Sequence, residues 1–125
     1  MNAPLAAAIA ACHAEARSAD ETDWERIAAL YDALAQLQPS PVVELNRAVA
    51  VGMAFGPAAG LEIVDGLCRE PALKHYHLLP SVRGDLLFKL GRFGEARDEF
   101  LRASQMTLNV SERELLLTRA GQCGG

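Results

Sequence analysis

The sequence lacks the features that mark membrane, secreted and metal-binding proteins. No apolar run reaches about 18 residues, so no segment is predicted to cross a membrane. The three cysteines, Cys12, Cys68 and Cys123, have no zinc-site spacing and an odd count, which favours a reducing cytoplasm over a disulfide framework. The Ala-rich N-terminal run has no basic flank and contains Glu15, so it indicates a helix and not a signal peptide.

The sequence also lacks an excess of positive charge and any recognised catalytic motif. The net charge of −4 argues against nucleic-acid binding by bulk electrostatics. No Gly-rich phosphate loop and no nucleophile elbow is present, so we expect no enzyme activity and no cofactor. The length of 125 residues predicts one domain over 1–125.

What is abundant is Ala and Leu at helical spacing, with only seven aromatic residues. This composition suits helices that pack on small side chains, and no strand pattern is visible. The apolar periodicity and the Gly and Pro breaks predict seven helices, at about 3–18, 22–37, 40–55, 57–69, 76–90, 93–106 and 111–120. Thr22 with Glu25 and Ser111 with Glu114 are predicted capping boxes, and Ser40 is predicted to cap a helix that has Pro41 at its first position.

Residues 75–109 form the most regular unit, two helices around a predicted tight turn at Gly91. Small residues at Gly84, Ala96 and Ala103 alternate with large apolar ones, in a spacing that resembles a tetratricopeptide repeat. Two antiparallel helices approach closely only where a small side chain faces the partner helix. We therefore expect Gly84 and Ala96 at the contact between the fifth and sixth helices.

The same pattern recurs 36 residues earlier, where Arg47-Ala48 and Gly60 match Arg83-Gly84 and Ala96. A weaker copy lies further upstream, and Trp24 to Tyr31 would also fit a competing register. Each repeat consists of a first and a second helix. If the fifth and sixth helices form one pair, the third and fourth form another, and the second helix must be the second of its own pair. This favours repeats at about 3–39, 40–75 and 76–109, with 111–120 as a cap. The predicted fold is all-α: an antiparallel helix-hairpin solenoid in a right-handed superhelical array.

This register defines a candidate partner-binding groove on the inner face of the first helices. Its predicted residues are Leu45, Val49, Met53, Leu78, Asp85 and Phe88, most of them apolar. Such a strip on a repeat protein takes a peptide or helix, or is covered by another domain. Arg47 and Arg83 stand where tetratricopeptide units usually carry an apolar residue. They either bridge helices through acids such as Glu15, Asp32, Glu44 or Asp85, or anchor an acidic group of a partner.

His75, His77 and Asp85 are the candidates for the alternative class, a small metal-dependent enzyme. Two histidines two positions apart do not share a helix face, and Asp85 lies nearly three turns further on. We expect the histidines to cap the fifth helix instead. Cys12 and His13 cannot pair directly as nucleophile and base, because neighbours on a helix point about 100° apart.

Several runs together resemble the C-terminal extension of certain bacterial extracytoplasmic-function (ECF subfamily) RNA polymerase sigma factors, those with a tetratricopeptide-like tail. The likeness covers about residues 5–119 and is carried by Thr22-Asp23-Trp24, Leu30-Tyr31-Asp32, Pro39-Ser40-Pro41-Val42-Val43, Leu45-Asn46-Arg47-Ala48-Val49-Ala50-Val51, Gly56-Pro57, Gly60-Leu61 and Tyr76-His77-Leu78-Leu79.

The resemblance implies a cytoplasmic, non-catalytic module that controls transcription initiation through protein contacts. Its partners would be the upstream sigma regions, RNA polymerase or a small regulator, since members are often encoded beside YCII-related proteins. The DNA-binding regions of that family lie upstream of the tail, so no direct nucleic-acid contact is expected here. The alternative is a stand-alone tetratricopeptide-like scaffold that binds a peptide or helix.

Overall fold

The computed structural model describes residues 3–15 and 22–124, and all regular structure in these ranges is helical. The α-helices are α1 (Ala3–Glu15), α2 (Trp24–Leu37), α3 (Pro41–Phe55), α4 (Pro57–Leu67), α5 (Leu78–Lys89), α6 (Phe93–Met106) and α7 (Val110–Gln122). A short 3-10 helix, Pro71–Leu73, follows α4. The all-α hairpin prediction is confirmed, and none of the described helices is long and apolar enough to cross a membrane. The predicted end of the first helix, 16–18, lies outside the described residues.

The helix starts correct two predicted caps. Asp23, not Thr22, caps α2, because its Oδ1 accepts a hydrogen bond from the backbone N–H of Arg26 at 3.1 Å. Asn109, not Ser111, caps α7, because its Oδ1 accepts from the N–H of Glu112 at 2.9 Å. The prediction for α3 is confirmed in position: Ser40 is the N-cap residue and Pro41 opens the helix, but the Ser40 side chain makes no capping hydrogen bond.

The chain divides into two compact units, Met1–Ile63 and Val64–Gly125, with the boundary inside α4. In the first unit α2 packs against both α1 and α3. The shared core combines small and branched side chains, namely Ile9, Cys12, Ile27, Ala28 and Ala50. The prediction of a single domain over 1–125 stays a prediction.

The first unit also contains the close helix approach that the repeat predicts. Gly60 of α4 sits so near α3 that an added Cβ would lie 2.7 Å from the carbonyl oxygen of Ala48 and 3.0 Å from Cα of Gly52. Only a residue without a side chain fits there, because backbone atoms cannot move aside cheaply.

The second unit is built on the α5/α6 hairpin, against which α7 packs through α6. Gly84 lies under the ring of Phe100, where a Cβ would approach Cε1 to 2.8 Å. Ala96 and Ala103 are fully buried on the facing helix. The predicted positions of Gly84 and Ala96 at this contact are therefore confirmed.

The turn between α5 and α6 is a Schellman motif centred on Gly91, which has a φ of 78°. The N–H of Arg92 donates to the carbonyl of Leu87 at 2.9 Å, and the N–H of Gly91 donates to that of Phe88 at 3.0 Å. A left-handed residue is required at this point, and glycine adopts it without strain. The predicted tight turn is in place.

Candidate interaction sites

The three predicted groove residues of the first unit have different environments. Leu45 is only 2% exposed, so it belongs to the core and not to an open groove, which corrects its predicted position. Val49 is half-buried and lines a cavity of about 160 Å³. Met53 is 41% exposed. The exposure of the predicted strip is therefore not uniform. A helix with neighbours on two sides buries more than one face, so part of the face assigned to the groove lies in the core.

Arg47 is held within its own helix. Its Nε and Nη2 donate to the two carboxylate oxygens of Glu44 at 3.0 and 3.1 Å, one turn earlier in α3. The hydrogen bond to Glu44 is the main cause that raises the pKa of Arg47. Glu44 was one of the four predicted acids, but the pair stabilises one helix and does not bridge two.

Arg83 does bridge helices, with partners that the sequence did not indicate. From α5, its Nε donates to Oδ1 of Asp65 in α4 at 2.9 Å, and its Nη1 lies 3.7 Å from Oε2 of Glu99 in α6. Burial alone would lower the pKa of Arg83, but the hydrogen bond to Asp65 and the charge of Glu99 raise it. With two carboxylates already beside it, this guanidinium has a structural role in the second unit.

Asp85 and Phe88, both predicted groove residues, are engaged by Arg119 of α7. Nη2 of Arg119 donates to Oδ1 of Asp85 at 2.9 Å, and Nζ of Lys89 lies 3.0 Å from Oδ2. The Arg119 guanidinium carbon lies 5.5 Å from the centroid of the Phe88 ring and 4.7 Å from that of Phe100. The last helix thus contacts part of the face that was predicted to be open.

The three candidate metal ligands are not brought together. Asp85 is committed to Arg119 and Lys89, and His75 is exposed. Nε2 of His77 lies 3.0 Å from Oε2 of Glu112 but makes no aligned hydrogen bond. Among the described residues, no group of three or more His, Cys, Asp or Glu side chains is placed to hold a metal ion. His77 precedes α5 as its N-cap residue but makes no side-chain cap.

The cysteine thiols occupy ordinary structural positions. Cys12 is buried in the core of the first unit. Cys123 is buried too, and its Sγ donates to the carbonyl of Arg119. Cys68 is exposed, and partial burial of its sulfur raises the pKa of the thiol, which disfavours the reactive thiolate.

The main exposed apolar surface of the second unit lies on α7 and the loop before it. Leu116 is buried, whereas Leu115 and Leu117 on either side of it are 61% and 46% exposed. Leu115 lines a cleft of about 230 Å³ with Leu78 and Ser81 of α5. Leu117 lines a second cleft, of about 390 Å³, with Arg97 and Leu101 of α6. We call these two depressions the α7 clefts.

The α7 clefts were missed in the sequence, although a signal for them is present. Leu115, Leu116 and Leu117 are consecutive, and consecutive residues of a helix point about 100° apart. Only one of the three can therefore face the core. Leu108 and Val110, which are 95% and 62% exposed, extend the apolar surface towards the start of the helix.

One curated relative is similar over most of this chain. It is an uncharacterized protein of Rhizobium meliloti (strain 1021), 51% identical over 108 residues, which are 86% of the chain but 25% of the relative. The chain thus spans about a quarter of the length of that protein. No family profile matches the sequence. No solved structure matches it.

Proposed function

We propose that this chain is a cytoplasmic, non-catalytic protein-interaction module that regulates a bacterial RNA polymerase sigma factor of the extracytoplasmic-function group. The sigma-factor part rests on the sequence runs quoted above, Leu45 to Val51 most of all. The matched segment, which is 51% identical, makes up 25% of the relative, and this is compatible with a module that works inside a larger chain. In this proposal the module contacts the upstream sigma regions or the polymerase, and makes no direct contact with DNA.

The single observation that supports an interaction role is the exposure of Leu115 and Leu117 beside the α7 clefts. The solvent-exposed face of a helix is normally polar. Here two large leucines flank a buried one and each lines a depression. Exposed apolar residues that line depressions are typical of surfaces that receive another protein segment.

The arrangement of reactive groups supports a non-catalytic role. The ion pairs that join helices of the second unit, Arg83 with Asp65 and Arg119 with Asp85, pair basic and acidic side chains with each other. Within the described ranges the candidate ligands His75, His77 and Asp85 face different partners or solvent. These residues therefore favour a structural interpretation over a metal-dependent enzyme.

A binding experiment with charge-matched variants tests the proposal. The bait is the immobilised chain, and the prey is the part of the Rhizobium meliloti relative outside the 108 matched residues. We expect the wild-type chain to retain the prey, and Leu115→Asp and Leu117→Asp to weaken binding about tenfold or more, because each puts a charge into an apolar contact. Gln122→Asp is the control, since it adds the same charge at an exposed polar position of α7.

The outcomes separate the alternatives. Retention of the prey by both leucine variants as well as by the wild type would remove the α7 clefts from the interface. No retention by the wild-type chain, with RNA polymerase core present or absent, would contradict the sigma-factor proposal. Retention of an unrelated apolar helical peptide instead, lost in the leucine variants, would favour the stand-alone scaffold. Thermal melts of every variant confirm that the fold is kept.

A further inference from the structure

The larger of the two α7 clefts is a groove between two helices that pack side by side. It has a volume of about 390 Å³ and lies between α6, which contributes Arg97 and Leu101, and α7, which contributes Leu117, Ala120 and Gly121. Leu117 is exposed, Leu101 is half-buried and Ala120 is buried, so the groove has apolar edges and a small residue at its base. All five residues belong to the second unit.

The α7 side of this groove leaves room for another helix. At Gly121 no atom beyond its own turn of helix lies within 4 Å of the position that an added Cβ would take, and at Gly124 the Nη1 of Arg97 lies 3.8 Å from that position. Gly121 follows Leu117 by one turn, so an exposed leucine and open space adjoin on the same side of α7. Helices approach closely where a small residue of one faces a large residue of the other.

Arg97 gives this groove a positive charge at one edge. The four residues that lie one turn away from it on α6 carry no charge, and they are Phe93, Gly94, Phe100 and Leu101. Arg92 and Arg102 differ in this respect, because each of them pairs with a glutamate three positions away. Arg97 is exposed and has no such neighbour on its own helix, so its guanidinium is placed to pair with an acid that a partner supplies.

The smaller α7 cleft carries a carboxylate where the larger one carries a guanidinium. Glu112 lines this cleft together with Leu115. Oε2 of Glu112 accepts a hydrogen bond from Oγ1 of Thr107 at 2.8 Å, which holds the carboxylate in place. An acidic segment is repelled by a fixed carboxylate and attracted by a guanidinium, so the charges of the two clefts direct such a segment to the larger one.

We propose that the larger α7 cleft binds an amphipathic helix that has large apolar residues on one face and glutamate or aspartate at the border of that face, an assignment that rests on the proposed role of the α7 clefts as a protein-binding surface. The apolar face packs on Leu101 and Leu117, and a carboxylate of the partner accepts hydrogen bonds from Arg97. The net charge of the chain is −4, so bulk electrostatics favour a basic partner. A preference for an acidic helix is therefore a property of this groove alone.

Two synthetic peptides of equal length test the assignment. Both are Ala-rich helices of about four turns with leucines three and four positions apart, and the residues beside the leucines are glutamates in the acidic peptide and lysines in the basic one. Fluorescence anisotropy of the labelled peptides with the full chain should give a dissociation constant below about 1 mM for the acidic peptide. The basic peptide should bind at least about fivefold more weakly, the scale of one exposed ion pair.

Variants connect this preference to the groove. Arg97→Glu should reverse the order of the two peptides, whereas Arg69→Glu, the same change at an exposed arginine of the same unit, should keep the wild-type order. Gly121→Gln places a neutral side chain in the open space and should weaken binding of the acidic peptide about fivefold or more. Gly66→Gln is its control, because an added Cβ at this position of α4 also meets no atom within 4 Å.

The proposal is overturned if the acidic peptide does not bind saturably, if the basic peptide binds as well or better, or if Arg97→Glu keeps the wild-type order. If Gly121→Gln fails to fold, Arg97→Glu alone decides. These results are separate from the binding experiment with the Rhizobium meliloti relative. If the relative is retained by Leu117→Asp and lost only in Leu115→Asp, and the acidic peptide does not bind, the interface lies at the smaller cleft, and only the present assignment fails.

Discussion

Arg119 in α7 donates a hydrogen bond to Asp85 in α5 across 34 positions of sequence, with Nη2 and Oδ1 2.9 Å apart. The same guanidinium covers the ring of Phe100, so the ion pair is shielded on one side. A charge-assisted hydrogen bond in a partly buried place is stronger than the usual surface ion pair. This contact joins α7 to α5 within the second unit.

We expect Arg119→Gln to destabilise the protein by about 1–3 kcal/mol, because it removes both the hydrogen bond and the packing on Phe100. Asp85→Asn should cost less, and the double variant should reveal a coupling of about 1 kcal/mol in urea unfolding. Arg69→Gln, at an exposed arginine of the same unit, is the control. A coupling free energy near zero would show that the two side chains act independently.

Asp85 should contribute to the pH dependence of the protein's stability. Burial alone would raise its pKa, but the hydrogen bonds from Arg119 and Lys89 lower it below the ordinary value. A carboxyl group with a lowered pKa in the folded state stabilises the protein above its unfolded pKa of about 3.9 and loses that contribution as the pH falls through the folded value. The stability difference between wild type and Asp85→Asn should therefore shrink below about pH 4. Urea midpoints measured from neutral to acid pH test this, and a constant difference would contradict it.

The close helix contacts predict which glycines are required. Gly60→Ala and Gly84→Ala should each destabilise by about 1–3 kcal/mol, because the added Cβ meets the α3 backbone or the buried ring of Phe100. Gly94→Ala should be neutral or slightly stabilising, because no atom lies within 4 Å of its Cβ position and alanine favours a helix. Thermal melts of the three variants should separate them into these two groups. Similar melting temperatures for all three would show that the helices separate easily at the contacts.

The corrected caps can be tested in the same way. Asn109→Ala should cost about 0.5–2 kcal/mol, because it removes the acceptor for the Glu112 N–H. Ser111→Ala should cost nothing measurable, since Ser111 lies inside the first turn of α7 and is exposed. A larger loss of stability for Ser111→Ala than for Asn109→Ala would show that Ser111 caps α7, as the sequence indicated.

Helices, turns and the small residues of the repeat were predictable, because each leaves a periodic or local signal. Gly84, Ala96 and Gly91 lie where the spacing put them. The caps were off by one or two residues, since Thr22 beside Asp23 and Asn109 near Ser111 are all acceptable cap types.

The ionic partners were not predictable in the same way. Arg83 pairs with an acid 18 positions away and Arg119 with one 34 positions away, and neither distance follows from a helical period. The open groove was misjudged for a related reason. The face of a helix that stays exposed depends on neighbours that are remote in sequence, as Leu45 in the core and Asp85 under Arg119 both demonstrate.

The connectivity inside each unit has a kinetic consequence. The major helix contacts, α1 with α2, α2 with α3, α5 with α6 and α6 with α7, all join consecutive α-helices. Chains whose contacts are mostly local close only short loops before those contacts form, and helical proteins of this kind fold in microseconds to milliseconds. The Schellman turn at Gly91 reverses the chain within a few residues, and this shortens the conformational search for the contact between α5 and α6. We expect the α5/α6 hairpin to form early and α7 to dock on it afterwards.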